Sequence, residues 1–320
     1  MGVRNVKLTI AYDGTEYHGW QIQPGFRTVQ GVLTEAISEL LGCRVRVCGA
    51  SRTDAGVSAL GQVGLIQIDS PIPTENLARA ITDRLPPDMA IVKAEEVPLG
   101  FDVIGAVKSK WYRYTIYNGT VRPVLHIRQC WHIPAKLDIA AMAEAAKLLV
   151  GTKDFKSFAA AEDKREDTVR AIFRCDVYSS PRPRSEQACE ERLTAENTES
   201  AEKKINHELT QMDTNKRANN ELVRIRENSW QKPPLSATSA GSAVMKSERN
   251  TQNADDWVCV DVEGDSFLYN MVRNIVGTLV EVGVGRWKPE IINEILEAKD
   301  RRAAGPLAPA AGLCLVRIEY

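Results

Sequence analysis

Three short stretches of the chain combine residue types that could do chemistry. The first is Gly49-Ala50-Ser51-Arg52-Thr53-Asp54-Ala55-Gly56-Val57, where a carboxylate follows an arginine by two positions between two glycines. Glycines permit backbone conformations that bulkier residues resist, and loops on a rigid scaffold are where proteins present reactive side chains. An arginine this close to Asp54 can hold the carboxylate or contact a phosphate. An aspartate in a Gly-flanked loop is also ordinary turn chemistry. The second stretch is Lys110-Trp111-Tyr112-Arg113-Tyr114. Strand alternation puts Tyr112 and Tyr114 on one face and Trp111 and Arg113 on the other. Such interleaving suits base stacking and phosphate contact, or else a core strand with a tyrosine face and a solvated arginine. The third runs from Gly264 to Asn274. There Ser266 can cap a helix, Phe267 and Met271 form an i,i+4 apolar pair, and Arg273 sits in a largely apolar run extending to Val284. An unpaired buried charge is costly, so Arg273 needs a partner or must reach solvent along its stem.

The elements that would carry these stretches can be read from periodicity. Val6, Leu8, Ile10 and Tyr12 alternate as in a half-buried strand. Thr28 is a helix N-cap for the apolar set Val29 to Leu41, which stops at Gly42. Val45 and Val47 predict a strand, and Val63 to Ile68 another, with the Asp54 loop between them. Leu77 to Leu85 predicts a short helix, followed by a strand near Ile91. Beyond it, Lys110 to Tyr117 is strand-like, and Asp138 caps a helix running to Leu149. Val169 to Tyr178 and Trp257 to Val262 predict paired strands. Ser266 to Val282 and Pro289 to Ala298 predict helices, and Leu313 to Tyr320 a last strand. Strands and helices mix without a strict βαβ rhythm, so the expected fold class is α+β. The expected division is an N-terminal half, residues 1–105, carrying the Asp54 loop, and a C-terminal half, residues 106–320. Residues 181–254 interrupt that second half; rich in Glu, Lys, Arg, Asn, Ser and Thr, they read as a disordered insertion within a hairpin.

Composition narrows the class. The chain has 320 residues, 43% hydrophobic and 26% charged, which is ordinary for a globular protein of up to two domains. A formal net charge of -1 lends no whole-chain support to nucleic-acid binding, so any RNA surface must come from local clustering of arginine and lysine. Seven cysteines and four histidines never meet at zinc-ligand spacing, so we expect reduced thiols and no metal site. No signal-peptide core follows Met1, Val6 does not suit a myristoylation motif, and no apolar run is long enough to span a bilayer. The expectation is a soluble, cytoplasmic protein with no membrane association.

Several motifs together carry a resemblance. Tyr12-Asp13-Gly14-Thr15 with Gly19-Trp20-Gln21, then Thr28-Val29-Gln30, then Ser51 to Val57 come first in order. Tyr112-Arg113-Tyr114, the segment Phe267 to Gly277 and the tail Ala304-Gly305-Pro306 with Ala308-Pro309 and Gly312-Leu313 follow. In this order they resemble the TruA family of tRNA pseudouridine synthases, over nearly the whole chain except the insertion. Ser58 departs from the pattern, standing where the family often has a histidine that is not the catalytic group; tRNA contacts would differ there.

The resemblance implies two similar α/β halves whose mainly antiparallel sheets join, with the active cleft between them. It implies a homodimer that isomerises uridines at positions 38 to 40 of the tRNA anticodon stem-loop. Uracil must leave C1′ of its ribose, turn, and rejoin through C5, which needs no cofactor. A carboxylate suits this, because it can stabilise positive charge on the sugar, attack it, or take a sugar proton. By resemblance Asp54 is that group, as nucleophile or base, with Arg273 its ion-pair partner lowering its pKa. Tyr112 would stack on the target base, and Arg52 would fill the space left when that base flips out. Lys108, Lys110, Arg165, Arg170, Arg286 and Lys288 would line the tRNA surface. Two rivals remain: an RNA glycosylase, which would release free uracil, and a catalytically silent tRNA-binding protein. A metal-dependent nuclease lacks the carboxylate cluster it would need.

Overall fold

The computed structural model describes residues 2–180 and 257–320. The segment read as an insertion therefore lies outside the described residues, apart from the strands that flank it. Those residues build ten strands and five α-helices, an α+β arrangement as expected.

The first strand, β1 (Arg4–Tyr12), buries Val6, Leu8, Ile10 and Tyr12 as the alternation predicts. It lies between β3 (Ser58–Ile68) and β4 (Met89–Val97), antiparallel to both. Helix α1 (Val29–Leu41) starts where Thr28 accepts a hydrogen bond from the Gly31 amide. It stops at Gly42, whose φ of 66° is the left-handed turn that glycine tolerates. Helix α2 (Thr74–Thr82) packs on β4. Val45 and Val47 are buried, but they pair with no strand. The ladder there is only β2 (Cys48–Gly49), set against Leu65 and Gly64 of β3. Their alternation marked burial without pairing, since the chain uses this stretch to cross from α1 to the Asp54 loop.

Beyond residue 105 the sheet continues through β5 (Ser109–Tyr117) and the short β6 (Trp131–His132). Then come β7 (Gly151–Asp154), β8 (Val169–Ser180), β9 (Trp257–Gly264) and β10 (Leu313–Glu319). The order is β4-β1-β3-β10-β5-β9-β8-β7, with β2 added to β3 and β6 to β5. Strands β8 and β9 pair antiparallel, as their patterns predict. Strand β10 is wedged between β3 and β5. It runs parallel to β3 through Cys314–Ser58 and Leu315–Ala59, and antiparallel to β5. Helix α3 (Ile139–Lys147), capped by the Asp138 carboxylate, lies over β8 and against α4 (Met271–Gly283). Helix α5 (Ile291–Ala298) completes the set.

Helix α4 begins five residues later than the sequence pattern implies. Ser266 turns back onto its neighbour, its amide and hydroxyl both donating to the Asp265 carboxylate, and Phe267 to Asn270 form a loop. Among the described residues no helix is long and apolar enough to cross a membrane, and no group of His, Cys, Asp and Glu is arranged to hold a metal.

On the face of β5 away from Tyr112, Arg113 is not available for phosphate. Its guanidinium forks onto Asp261 of β9, with Nε to Oδ1 at 2.7 Å and Nη2 to Oδ2 at 2.8 Å, and both side chains are nearly buried. Such a pair matters chiefly when broken, because one buried charge is then left uncompensated. Asp261→Ala is expected to lower unfolding free energy by about 3–5 kcal/mol in urea titration, and Arg113→Met with Asp261→Leu together to recover most of it.

Candidate active site

The Asp54 loop hangs between β2 and β3 and is tied down at nearly every residue. The Ala50 amide donates to the Val63 carbonyl, and fully buried Gln62 donates from Nε2 to the Ser51 carbonyl at 3.0 Å. The Thr53 hydroxyl lies 2.8 Å from the Tyr12 hydroxyl, while the Thr53 carbonyl accepts from the Trp20 amide. The Gly56 amide donates to the Tyr17 carbonyl, and Gly56 sits at φ 78°. Gly19, also left-handed, lies so close that a Cβ there would meet the Thr53 carbonyl oxygen at 2.6 Å. This explains why Tyr12 to Gln21 belongs to the pattern although none of it is chemical. Ser58, the departure from the family pattern, accepts a hydrogen bond from the Gly14 amide at 3.0 Å and so helps tie the same two segments.

Opposite this loop, α4 presents Arg273. Its Nη1 lies 3.5 Å from Asp54 Oδ2, joining residues 219 apart in sequence. The rest of the guanidinium is held elsewhere: Nε donates to the Ala308 carbonyl at 2.8 Å and Nη1 also to Asn270 Oδ1 at 3.1 Å. The Ala308 amide in turn donates to the Arg273 carbonyl. The tail bearing Ala308 lies hard against α4, since a Cβ on Gly277 would fall 1.7 Å from the Pro306 carbonyl oxygen.

Tyr112 is buried beside Asp54, its ring edge-on to Phe267 with centroids 5.2 Å apart and its hydroxyl 3.3 Å from Ser51 Oγ. Burial first, and the nearby Asp54 charge in addition, push its phenol up to about 12 against the opposing Ser51 hydrogen bond, so it stays protonated at neutral pH. Tyr114 on the same face is structural, its hydroxyl donating to the Pro309 carbonyl.

Asp54, Tyr112 and Arg273 line a cleft of about 880 Å³, in the range of small-ligand sites. Arg52 is exposed at its edge and makes no hydrogen bond or ion pair with the described residues. Among the described residues, five basic side chains (Arg52, Lys110, Lys164, Arg165 and Arg273) and three acidic ones (Asp54, Glu162 and Asp163) border it, a local positive excess in a chain that is nearly neutral. Lys110 reaches Ser51 Oγ at 3.3 Å. Arg165 grips Asp163, whose carboxylate also accepts from the Tyr269 amide. Lys108, Arg170, Arg286 and Lys288 do not line the cleft. Lys108 is hydrogen-bonded to Tyr320, and Arg286 is paired with Glu281. Lys164 borders the cleft unforeseen, its only signal its place beside Arg165; Phe267 and Asn270, which belong to the stretch singled out around Arg273, were given no place in the site and border it too.

The sequence of this chain matches the family profile described as tRNA pseudouridine synthase across residues 8–104 and 145–320. The chain belongs to that family. It is 34% identical over 318 residues to tRNA pseudouridine synthase A of Caldicellulosiruptor saccharolyticus, covering 99% of this chain and 100% of the relative. It is 36% identical over 322 residues to the protein of that name from Moorella thermoacetica, covering 98% of this chain and 99% of the relative. Against the Pelobacter propionicus protein of that name it is 35% identical over 318 residues, covering 99% and 100% of the two chains.

One electrostatic expectation is reversed within this family frame. Arginine beside a carboxylate ordinarily lowers its pKa, but the Asp54 carboxyl is pushed above its usual value. Burial is the larger effect, and the single long contact to Arg273 offsets only part of it. A carboxyl whose pKa rises on folding favours the folded state when protonated. Its contribution is full below the ordinary value of 3.8 and is lost as pH rises through the folded value. Asp54→Asn, which is never charged, is therefore expected to melt above wild type at pH 7. The two melting temperatures should converge below pH 3.8, as read by calorimetry across pH.

Proposed function

We propose that this chain isomerises uridine to pseudouridine in tRNA, at positions 38 to 40 of the anticodon stem-loop. The observation that carries the reading is the convergence of Asp54, Arg273 and the buried Tyr112 ring in one basic-edged cleft. The three come from separate segments of the chain; the family profile covers Asp54 and Arg273, and the alignment to the Caldicellulosiruptor saccharolyticus relative, over 99% of the chain, extends across Tyr112 as well.

The reaction breaks the bond from C1′ to N1 of uracil and makes one from C1′ to C5. The C5 proton is lost and N1 gains one, so the product is an isomer of the substrate. Breaking the first bond builds positive charge on the sugar, and a carboxylate facing it stabilises that charge, attacks it or removes a sugar proton. Asp54 is that carboxylate, acting as nucleophile or base. Its raised pKa makes it a stronger nucleophile and base than a solvated aspartate, and the Arg273 charge offsets part of the rise that burial causes. Tyr112 gives the turning base an aromatic surface, worth ~1–3 kcal/mol in stacking. That is comparable to the few kcal/mol that unstacking a nucleotide costs, so the basic edge must supply the remainder through phosphate contacts. Arg52, exposed at the edge and unpaired among the described residues, fits the role of occupying the place of the flipped base.

In this reading the working unit is a cytoplasmic homodimer in which each tRNA touches both subunits, and the two halves of the chain, 1–105 and 106–320, flank the cleft. The family resemblance supports both.

The test is tritium release from tRNA labelled at uracil C5. Wild type is expected to release tritium to water while the base stays attached to the RNA. Asp54→Asn should release none, with tRNA affinity within a few-fold of wild type. Free uracil among the products would indicate a glycosylase, and no release by wild type a binding protein. Arg52→Ala is expected to weaken tRNA binding and to flatten the slope of log affinity against log salt by about one.

A further inference from the structure

Asn270 lines the cleft and has three features that the mechanism above does not use. Its backbone is left-handed at φ 60°, one of two such non-glycine residues among those described. Surroundings must over-determine a residue to hold it there. It also occupies the N-cap position of α4, where an asparagine normally accepts from a free helical N–H, yet it makes no such bond. Its side-chain oxygen is turned instead to Arg273 Nη1, at 3.1 Å.

That nitrogen is the one facing Asp54. An arginine free to approach a carboxylate closes to about 2.7–2.9 Å and grips with two parallel bonds. Here the contact is single and 3.5 Å long, whereas the bonds to Asn270 and the Ala308 carbonyl, at 3.1 and 2.8 Å, are shorter. The guanidinium is planar and its donors are fixed relative to one another. Holding Nε on Ala308 and sharing Nη1 with Asn270 therefore keeps the whole group back from Asp54.

We propose that Asn270 is a positioning residue that keeps the Asp54–Arg273 ion pair slack, restraining Arg273 from closing onto the carboxylate. A closed, two-bond pair would leave Asp54 a weaker nucleophile or base; a missing arginine would leave burial of its charge with nothing to offset it. Asn270 sets the compromise between the two. The inference rests on the assignment of Asp54 as the reacting group.

The charged and titratable groups facing Asp54 are Arg273 from α4 and Tyr112 from β5, with Arg52 beside it in its own loop. Among the charged groups of the described residues, only Arg273 contacts it directly, so a change in the pair is read in the acidic limb of kcat/KM against pH. Two variants move the arginine in opposite directions. Asn270→Gly keeps the left-handed backbone and removes the restraining oxygen. Asn270→Asp keeps the oxygen, adds charge that draws Arg273 away from Asp54, and also tolerates this backbone.

The experiment is the pH profile of tRNA turnover for the full chain, wild type against both variants, with Asp54→Asn as control. Asn270→Gly is expected to shift the acidic limb down by about half a pH unit or more and Asn270→Asp to shift it up. In the glycine variant kcat should fall severalfold while KM for tRNA stays within about twofold. Limbs that coincide with wild type in both variants, or move the same way in both, overturn the inference while an inactive Asp54→Asn leaves the assignment of Asp54 standing. An active Asp54→Asn overturns both.

Discussion

The proposed reaction asks a carboxylate to sit in a half-buried cleft without either escaping to solvent or neutralising itself. Most of the architecture around Asp54 answers that constraint. Burial raises the energy of its charged form, and Arg273, delivered from a helix 219 residues away, offsets part of that cost at a distance of 3.5 Å. Neither group could be placed by its own local structure. The carboxylate needs its loop locked, and the arginine needs a helix whose depth in the protein is fixed.

Each side of the cleft is locked by close backbone approach more than by side-chain packing. On the Asp54 side, Gly19 lets the chain pass within touching distance of Thr53, Tyr12 and Gln62 pin the loop from the core strands, and the Trp20 amide pins it from the segment before α1. On the Arg273 side, Gly277 admits the Pro306 carbonyl and Gly305 packs on Thr278, so the tail segment is laced to α4. The Ala308 carbonyl can then receive Arg273 Nε. Interiors packed this tightly transmit small displacements instead of absorbing them, so residues that never meet substrate share in setting the distance between the two charges.

Much of this was legible in residue order, for identifiable reasons. Alternation along Val6 to Tyr12 and Tyr112 to Ile116 reports one buried face, and caps such as Thr28 and Asp138 act within four residues. Both signals are local. What failed was non-local. Val45 and Val47 alternate like a strand because their side chains enter the core, but whether they pair depends on what lies alongside. The start of α4 was misplaced because Ser266 bonds to Asp265, leaving the helix to begin after Asn270. Arg113 looked available for phosphate because its partner Asp261 lies on a strand that only the folded sheet brings next to it. The pKa of Asp54 went the wrong way for a related reason: the identity of its partner could be read by resemblance, whereas their separation and the depth of burial could not.

The central position of β10 has a consequence for the order of events during synthesis. The strand between β3 and β5 is made last of the three, after the Asp54 loop and the segments bearing Tyr112 and Phe267. Until residues 313–319 arrive, the sheet has a gap at its middle, and Asp54 and Tyr112 sit on opposite sides of it. Pairings so distant in sequence form slowly because loop closure must come first. A nascent chain therefore carries Asp54, Tyr112 and Arg273 before the strand that joins their two parts of the sheet has taken its place.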